Sequence, residues 1–445
     1  MGKTITNATP LVQYLLDLNA RKLLAGSFPG RILEDKNHFT ALSSLPSVLY
    51  AGFDPTAKSL HIGNLLVINN LLRSTKFGCK ALMLVGEATA SVGDPSGRAK
   101  ERPMADQNIT RDQAGFISTT LSKIADNCMV LSKSPGSISL HNNAEWLTKM
   151  NAIDFLRKCK PFRVGAMLRT GAVKSRMEGE IDNDGISFTE FSYQTLQSID
   201  WLHLTERHDC FFQIGGSDQL GHLDLGAHYI RKQTGKFAAG ITLPLITDAS
   251  GNKLGKSTGA SVWLSDQMTT AFHFYQFWKQ LPDVDAERLL PMFTLKSMPE
   301  AEVVLKEHKE KLGKWIAQEA LANEMTMLVH GQEGLDKALA CSRALFQNST
   351  SDLHSLTQNE ILALFGESLK IQKERAKTIG EFAAQTRNDG KPTENLVKSG
   401  AFKVNGVRRG DPEEKIDHGS LILGKTKNLT LICWGKRKFQ LIEWT

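Results

Sequence analysis

The chain has 445 residues with a 41% apolar and 23% charged composition, which suits an ordinary globular protein of roughly two to four domains. It holds no apolar run of roughly 18 residues, so a membrane span is not expected. The net charge is +7, and residues 391–445 carry eleven Lys and Arg against six Asp and Glu, a basic tail suited to phosphate neutralisation on a nucleic acid.

The six cysteines, Cys79, Cys128, Cys159, Cys210, Cys341 and Cys433, include no closely spaced pair. They read as free buried thiols in a reducing compartment, with no protein-bound metal. The N-terminus carries no signal peptide pattern. Asp17, Glu34 and Asp35 are unlike a transit peptide.

In chain order, residues 47–53 read as a strand and Asp54-Pro55-Thr56 as a turn. Ser59 is the expected N-cap of a helix whose apolar side is Ile62, Leu65, Leu66 and Leu72. Ala81–Val85 follows as a second strand, completing a β-α-β unit with parallel strands. His61 falls at the carboxyl end of the first strand, where open α/β sheets bind ligands. Cys210–Ile214 and Ile241–Ile246 are expected as further strands. From about residue 276 the pattern turns helical, as in Glu302–Leu312 and Lys314–Leu328. From about Lys377 it gives way to short apolar runs, among them Leu421–Leu423 and Thr430–Cys433.

Two separated segments, His61-Ile62-Gly63-Asn64 and Lys253-Leu254-Gly255-Lys256-Ser257, together suggest one nucleotide pocket. The first supplies an imidazole and close backbone approach at a strand-to-helix turn. The second supplies two cations and a hydroxyl on a loop. It is not a P-loop, because three residues separate Gly251 and Gly255 where that motif needs four. In the stretch Phe191–Leu204, the spacing i, i+4, i+7 puts Tyr193, Gln197 and Asp200 on one helical face. That stripe reads either as a solvated surface or as a small pocket for a ligand with hydroxyl and ammonium groups, closed from below by Tyr50. The loop Gln213–Gln219 follows a strand and opens a helix. Gly215 and Gly216 permit close approach there, and Asp218 is placed to accept from a ribose hydroxyl. His203, Glu206 and His208 lack the spacing of a helical zinc site and read as structural or exposed.

These segments occur in the order seen in tyrosyl-tRNA synthetases of the bacterial and mitochondrial type. The matching stretches are Tyr50–Thr56, His61–Asn64, Val92–Gly97, Tyr193–Asp200, Gln213–Gln219 and Lys253–Ser257. The resemblance covers residues 48–262 well, and six separated motifs make it specific. It implies a Rossmann-like parallel-sheet catalytic domain over 48–275 behind an N-terminal extension, 1–47. A helical anticodon-binding domain at 276–365 and a small α+β S4-like RNA-binding domain at 377–445 would follow. It also implies a homodimer that makes tyrosyl-adenylate from L-tyrosine and ATP with Mg²⁺, then loads the 3′ end of tRNA(Tyr).

Carried over residue by residue, the resemblance assigns the tyrosine hydroxyl to Tyr50 and Asp200. It assigns the ammonium to Asp94, Tyr193 and Gln197, and the rest of the amino-acid site to Gln213 and Gln219. ATP falls to Asp54, Thr56, His61, Gly63 and Asp218. The catalytic set is His61, Asn64, Lys253, Lys256 and Ser257. Asn64 departs from the histidine commoner at its position. The resemblance together with the basic balance points to the mitochondrial matrix, with a bacterial cytoplasm as the alternative. A competing reading is an RNA-binding or splicing factor on a synthetase scaffold. The presence of His61, Asp94, Asp200 and both loop lysines speaks against loss of catalysis.

Overall fold

The computed structural model describes residues 8–97, 106–177, 185–247, 254–255, 261–346, 354, 356–365, 369–372, 376–387, 393–435 and 438–445. The chain forms two compact units. One comprises the residues up to Thr269 with Phe277–Gly331, the other Thr270–Gln276 with Gln332–Thr445. The boundary at Gly331, which stands at φ 77° and ψ −178° inside a helical stretch, cuts across the expected 276–365 segment.

The first unit is built on six strands: β1 (Gly26–Phe28), β2 (Val48–Phe53), β3 (Lys80–Val85), β4 (Ser137–Asn142), β5 (Phe212–Gly216) and β6 (Ala239–Leu243), in the order β1-β6-β5-β2-β3-β4. All neighbours run parallel except β1, which pairs antiparallel with β6. Strands β2, β3, β5 and β6 are nearly all buried, as the covered faces of a parallel sheet require. From β2 the chain moves outward to β3, and from β5 it moves the opposite way to β6. Their carboxyl ends therefore flank a crevice at the point where strand order reverses. Tyr50 of β2 and Gln213 of β5 are direct register partners beside it.

The helices relevant to the site are α1 (Pro10–Ala20), α2 (Ile62–Arg73), α3 (Gln107–Ser132), α4 (Ala144–Leu147), α5 (Phe188–His208), α6 (Leu220–Thr234) and α7 (Asp283–Phe293). The expected β-α-β unit is present as β2-α2-β3. The expected strands at 210–214 and 241–246 run instead over Phe212–Gly216 and Ala239–Leu243.

The N-cap of α2 is a correction. His61, not Ser59, holds that position, its Nδ1 accepting from the Gly63 N–H at 3.0 Å. Asn64 Oδ1 accepts in return from the His61 backbone N–H at 3.1 Å. Ser59 Oγ is engaged elsewhere, accepting from the Ser265 N–H and donating to the Leu60 carbonyl.

Two buried arginines, Arg21 at the C-cap of α1 and Arg73 at the end of α2, hold the C-terminal end of α7. Arg21 donates to the carbonyls of Pro291 and Lys296 at 2.8 and 2.6 Å, and Arg73 to those of Met292 and Thr294 at 3.0 and 2.6 Å. Pro291 and Met292 lie in the last turn of α7, which leaves their carbonyls without helical partners and where cations also suit the helix dipole; Thr294 and Lys296 follow it.

The second unit holds a five-stranded sheet in the order β7-β11-β10-β8-β9: β7 (Leu369–Gln372), β8 (Phe402–Val404), β9 (Val407–Arg409), β10 (Leu429–Trp434) and β11 (Lys438–Trp444). The period-two alternation of β10 and β11 splits their apolar residues between two cores. Leu429, Leu431 and Leu441 pack with Ile361 and Phe365, while Ile432 and Ile442 pack with Phe382, Phe402 and Val404. Among the described residues no helix is long and apolar enough to cross a membrane. All six cysteines are free, and all but the half-buried Cys159 are buried.

Candidate active site

A cavity of about 780 Å³ opens at the carboxyl ends of β2 and β5. Tyr50, Asp54, Thr56, His61, Gly63, Asn64, Asp94, Tyr193, Gln197, Asp200, Gln213, Asp218 and Gln219 all line it. The sequence distributes these residues over 170 positions, and the sheet order brings them together. Lys253, Lys256 and Ser257 lie outside the described residues. Leu254 and Gly255, between those lysines, line the same cavity. Gly255 stands at φ 82°, and a Cβ there would come within 2.6 Å of Ile62 Cγ2. Gly255 therefore lies against the first turn of α2, with Leu254 N bonded to the Ile246 carbonyl and Ile62 N to the Val262 carbonyl.

At the floor of the cavity, Asp200 of α5 is 2% exposed. Its Oδ1 accepts from Trp146 Nε1 at 2.7 Å and its Oδ2 from Asn143 Nδ2 at 2.9 Å. Neither partner was anticipated from sequence. Asn143 immediately follows β4 and Trp146 sits on the short helix α4. Their position past a strand's carboxyl end was the only available signal. Asn143 Nδ2 also donates to Thr89 Oγ1 at 3.0 Å, Thr89 donates to Asp54 Oδ1 at 2.8 Å, and Tyr193 OH donates to Asp54 Oδ2 at 2.8 Å. One hydrogen-bonded chain thus joins both buried carboxyl groups.

Tyr50 OH and Gln213 Oε1 are buried with no partner among the described residues. Two neighbouring orphaned polar atoms in a cavity wall carry a desolvation cost that a polar ligand group would offset. Burial, reinforced by Asp200, also holds the Tyr50 phenol well above its usual pKa.

Higher in the cavity, Asp94 accepts from Gln219 Nε2 and from the Ser96 N–H, both at 2.8 Å. Gln197 Oε1 faces His222 Nδ1 at 2.9 Å. The cap at His61 has a chemical consequence. A ring nitrogen that accepts from a backbone N–H is unprotonated, so in the neutral imidazole the hydrogen lies on Nε2. Gly63 makes the cap possible, since a Cβ there would sit 2.8 Å from His61 Cε1.

His203 is not on the cavity. Its ring stacks on Trp146 at 4.1 Å and 12°, a structural role of the kind expected. Among the described residues, no group of three or more His, Cys, Asp or Glu could hold a metal ion.

Burial, aided by Asp94, pushes Asp54 from 3.8 up to about 7. Burial does the same to Asp200, also to about 7, against the hydrogen bonds of Asn143 and Trp146. Between about pH 4 and pH 7 the folded chain therefore binds protons that the unfolded chain has released. More protons on the folded state means that stability falls as pH rises through this window, by at most about 1.4 kcal/mol per pH unit per group. The urea midpoint is expected to drop between about pH 5 and pH 7.5, and Asp54→Asn to remove part of the drop. An identical pH profile for that variant would reject Asp54 as a source.

The reversed-order parallel sheet and the capped helix beside the cavity define a class I nucleotide-activating domain. The family model for class I tRNA synthetases (W and Y) matches residues 43–347, and the chain belongs to that family. The mitochondrial tyrosine–tRNA ligase of Drosophila melanogaster is 38% identical, over 97% of this chain and 94% of its own length. Tyrosine–tRNA ligase 1 of Bacillus licheniformis is 39% identical, over 89% and 92%. Among solved structures, a C-terminally truncated mitochondrial tyrosyl-tRNA synthetase of Aspergillus nidulans matches with TM-score 0.66 and 30% identity, over 75% of this chain and 94% of its own. Within class I, the chain belongs to the tyrosine–tRNA ligases. The family, the fold and the enzyme class read from the motifs are borne out.

Proposed function

We propose that this protein activates L-tyrosine with ATP and Mg²⁺ to tyrosyl-adenylate and pyrophosphate, then transfers tyrosine to the 3′ end of tRNA(Tyr). The observation carrying this reading is the floor of the cavity. A carboxyl group held by Asn143 and Trp146 lies in one cavity with an orphaned phenol. Such a floor suits a ligand hydroxyl that donates to one group and accepts from the other.

Tyr50 and Asp200 then take the tyrosine hydroxyl. Asp94, Tyr193 and Gln197 surround its ammonium, with Gln213 and Gln219 completing the amino-acid site. Asp54 is tied to Tyr193 and Thr89, which favours positioning of Tyr193 over direct contact with ATP. Thr56, His61, Gly63 and Asp218 line the nucleotide side. The substrate carboxylate attacks the α-phosphorus of ATP, a P–O bond forms, and the bond to pyrophosphate breaks. No protein group becomes covalently attached. The protein contributes positioning and stabilisation of the leaving charge, from His61 Nε2–H, the N-terminus of α2 with Asn64, and Lys253, Lys256 and Ser257.

The segment 276–365 is assigned to the anticodon and 377–445 to tRNA as an S4-like module. Exposed Lys398, Arg408, Lys415, Lys425 and Lys427 in the tail support contact with phosphates. Exposed Ile153, Leu156, Val164 and Phe188, at 58, 57, 62 and 73%, support a homodimer formed through this apolar surface. The mitochondrial matrix is the proposed compartment, supported by the naming of the Drosophila relative.

The test is tyrosine-dependent ATP–pyrophosphate exchange without tRNA, with phenylalanine and tryptophan as controls. Exchange with tyrosine alone is expected. Exchange with tryptophan alone, or none from folded protein, would sink the reading.

A further inference from the structure

Gln197 sits in the cavity wall as a side chain whose two ends are chemically opposite. Its oxygen only accepts and its nitrogen only donates, so a 180° turn of the amide reverses what it offers a ligand. Something must select the end presented. His222, the third residue of α6, is 2% exposed, and its Nδ1 lies 2.9 Å from Gln197 Oε1. With Gln197 Oε1 facing it, Nδ1 carries the hydrogen and Nε2 keeps a lone pair; the other tautomer would bury an N–H at Nε2 with no acceptor among the described residues, the costlier orphan. The imidazole also packs against the Tyr193 ring, with centroids 5.6 Å apart and a 40° tilt. Its other nitrogen, Nε2, is buried with no partner among the described residues. Among those residues, Gln197 is the partner that ties this ring into the polar network.

We propose that His222 is a positioning residue that fixes the polarity of the Gln197 amide and thereby selects for a cationic amino group on the substrate. The inference rests on the reading of the cavity as a tyrosine site. With His222 Nδ1–H on one lone pair of Oε1, the second lone pair remains for an ammonium N–H. The flipped amide would set N–H against N–H at His222, or else force the tautomer that buries an unpartnered Nε2–H, and would turn a donor toward the ammonium. Without the imidazole donor, both orientations become accessible, and the site loses its bias toward the cation rather than its affinity for the phenol.

Two ligands separate these effects in the full-length protein. Tyramine carries the phenol and the ammonium without a carboxylate, and 3-(4-hydroxyphenyl)propionate carries the phenol and the carboxylate without an ammonium. His222→Phe keeps a ring against Tyr193 and removes the donor. It is expected to weaken tyramine binding by about tenfold or more, as befits a bond made to a charged group, and to leave the propionate nearly unchanged. His222→Asn offers an N–H donor without the ring, but on an amide that can also accept, and is expected to recover part of the tyramine affinity. Equal losses for both ligands, unchanged tyramine binding in the Phe variant, or a tyramine-selective loss in the Asn variant as large as in the Phe variant would each overturn the proposal. Wild-type protein that binds neither ligand would instead overturn the tyrosine reading on which it rests.

Discussion

Asp200→Ala is expected to lower the ratio of kcat/KM for tyrosine over phenylalanine by about ten- to a hundredfold, the range of one hydrogen bond to a charged group. Asp200 already satisfies Asn143 and Trp146, and its remaining lone pairs, with the orphaned Tyr50 hydroxyl, wait on a phenol. Phenylalanine fills the volume and leaves these groups buried and unpaired, so the site rejects it. In the Ala variant the penalty for phenylalanine shrinks, because the carboxylate that needed a partner is gone. Tyrosine meanwhile loses its acceptor and faces the stranded N–H groups of Asn143 and Trp146. The two effects act in the same direction on the ratio. Measuring the ratio also cancels any shared loss of folded protein. Tyr50→Phe removes only a neutral partner and is expected to erode the preference less. Pyrophosphate exchange with each amino acid gives both numbers. An unchanged ratio for Asp200→Ala would remove Asp200 from the specificity site.

The parts of this site that could be read in the sequence are those fixed by local geometry. The β2-to-α2 turn places His61 whatever the rest of the fold does, and the spacing of Tyr193, Gln197 and Asp200 puts them on one face of any helix. The first departure came from competition between two local rules. Ser is a favoured N-cap, but Ser59 Oγ is engaged with Ser265 and Leu60, and histidine two residues on caps the helix. The other omissions are non-local. Asn143 and Trp146 reach Asp200 because β4 lies beside β3, two strands from β2, an adjacency that no short motif encodes. His222 meets Gln197 because α5 and α6 pack together with β5 between them in the chain. Gly86 is similar, since a Cβ there would overlap Asp54 Oδ1, an encounter across separate elements. The stripe on α5 illustrates the remaining ambiguity. Its pattern suited solvent as well as a pocket, and Tyr193 and Asp200, at 6 and 2% exposed, decide for the pocket.

His61→Asn should separate the two tasks of this residue. Asparagine ranks with the best N-cap residues, so the first turn of α2 and the thermal midpoint are expected to survive the change. The short amide ends near the cap and does not extend to the position of Nε2, the nitrogen that carries the hydrogen in the neutral ring. The adenylation rate is therefore expected to fall by about 10²–10³, the usual loss when one preorganised donor to a developing charge is removed, while the KM for tyrosine stays near the wild-type value. In the proposed site tyrosine would sit against Tyr50 and Asp200 on the floor of the cavity and the pyrophosphate would leave past α2, so the substitution would touch the transition state without touching the amino-acid pocket. Single-turnover adenylate formation measures the rate, and equilibrium tyrosine binding measures the pocket. A parallel loss in rate and in tyrosine affinity would mean that His61 acts through the architecture of the first turn. A fall in thermal midpoint as large as that of His61→Gly would carry the same meaning. Loss of rate alone would place the imidazole on the phosphates, and the cap at Gly63 would then be the device that orients its donor.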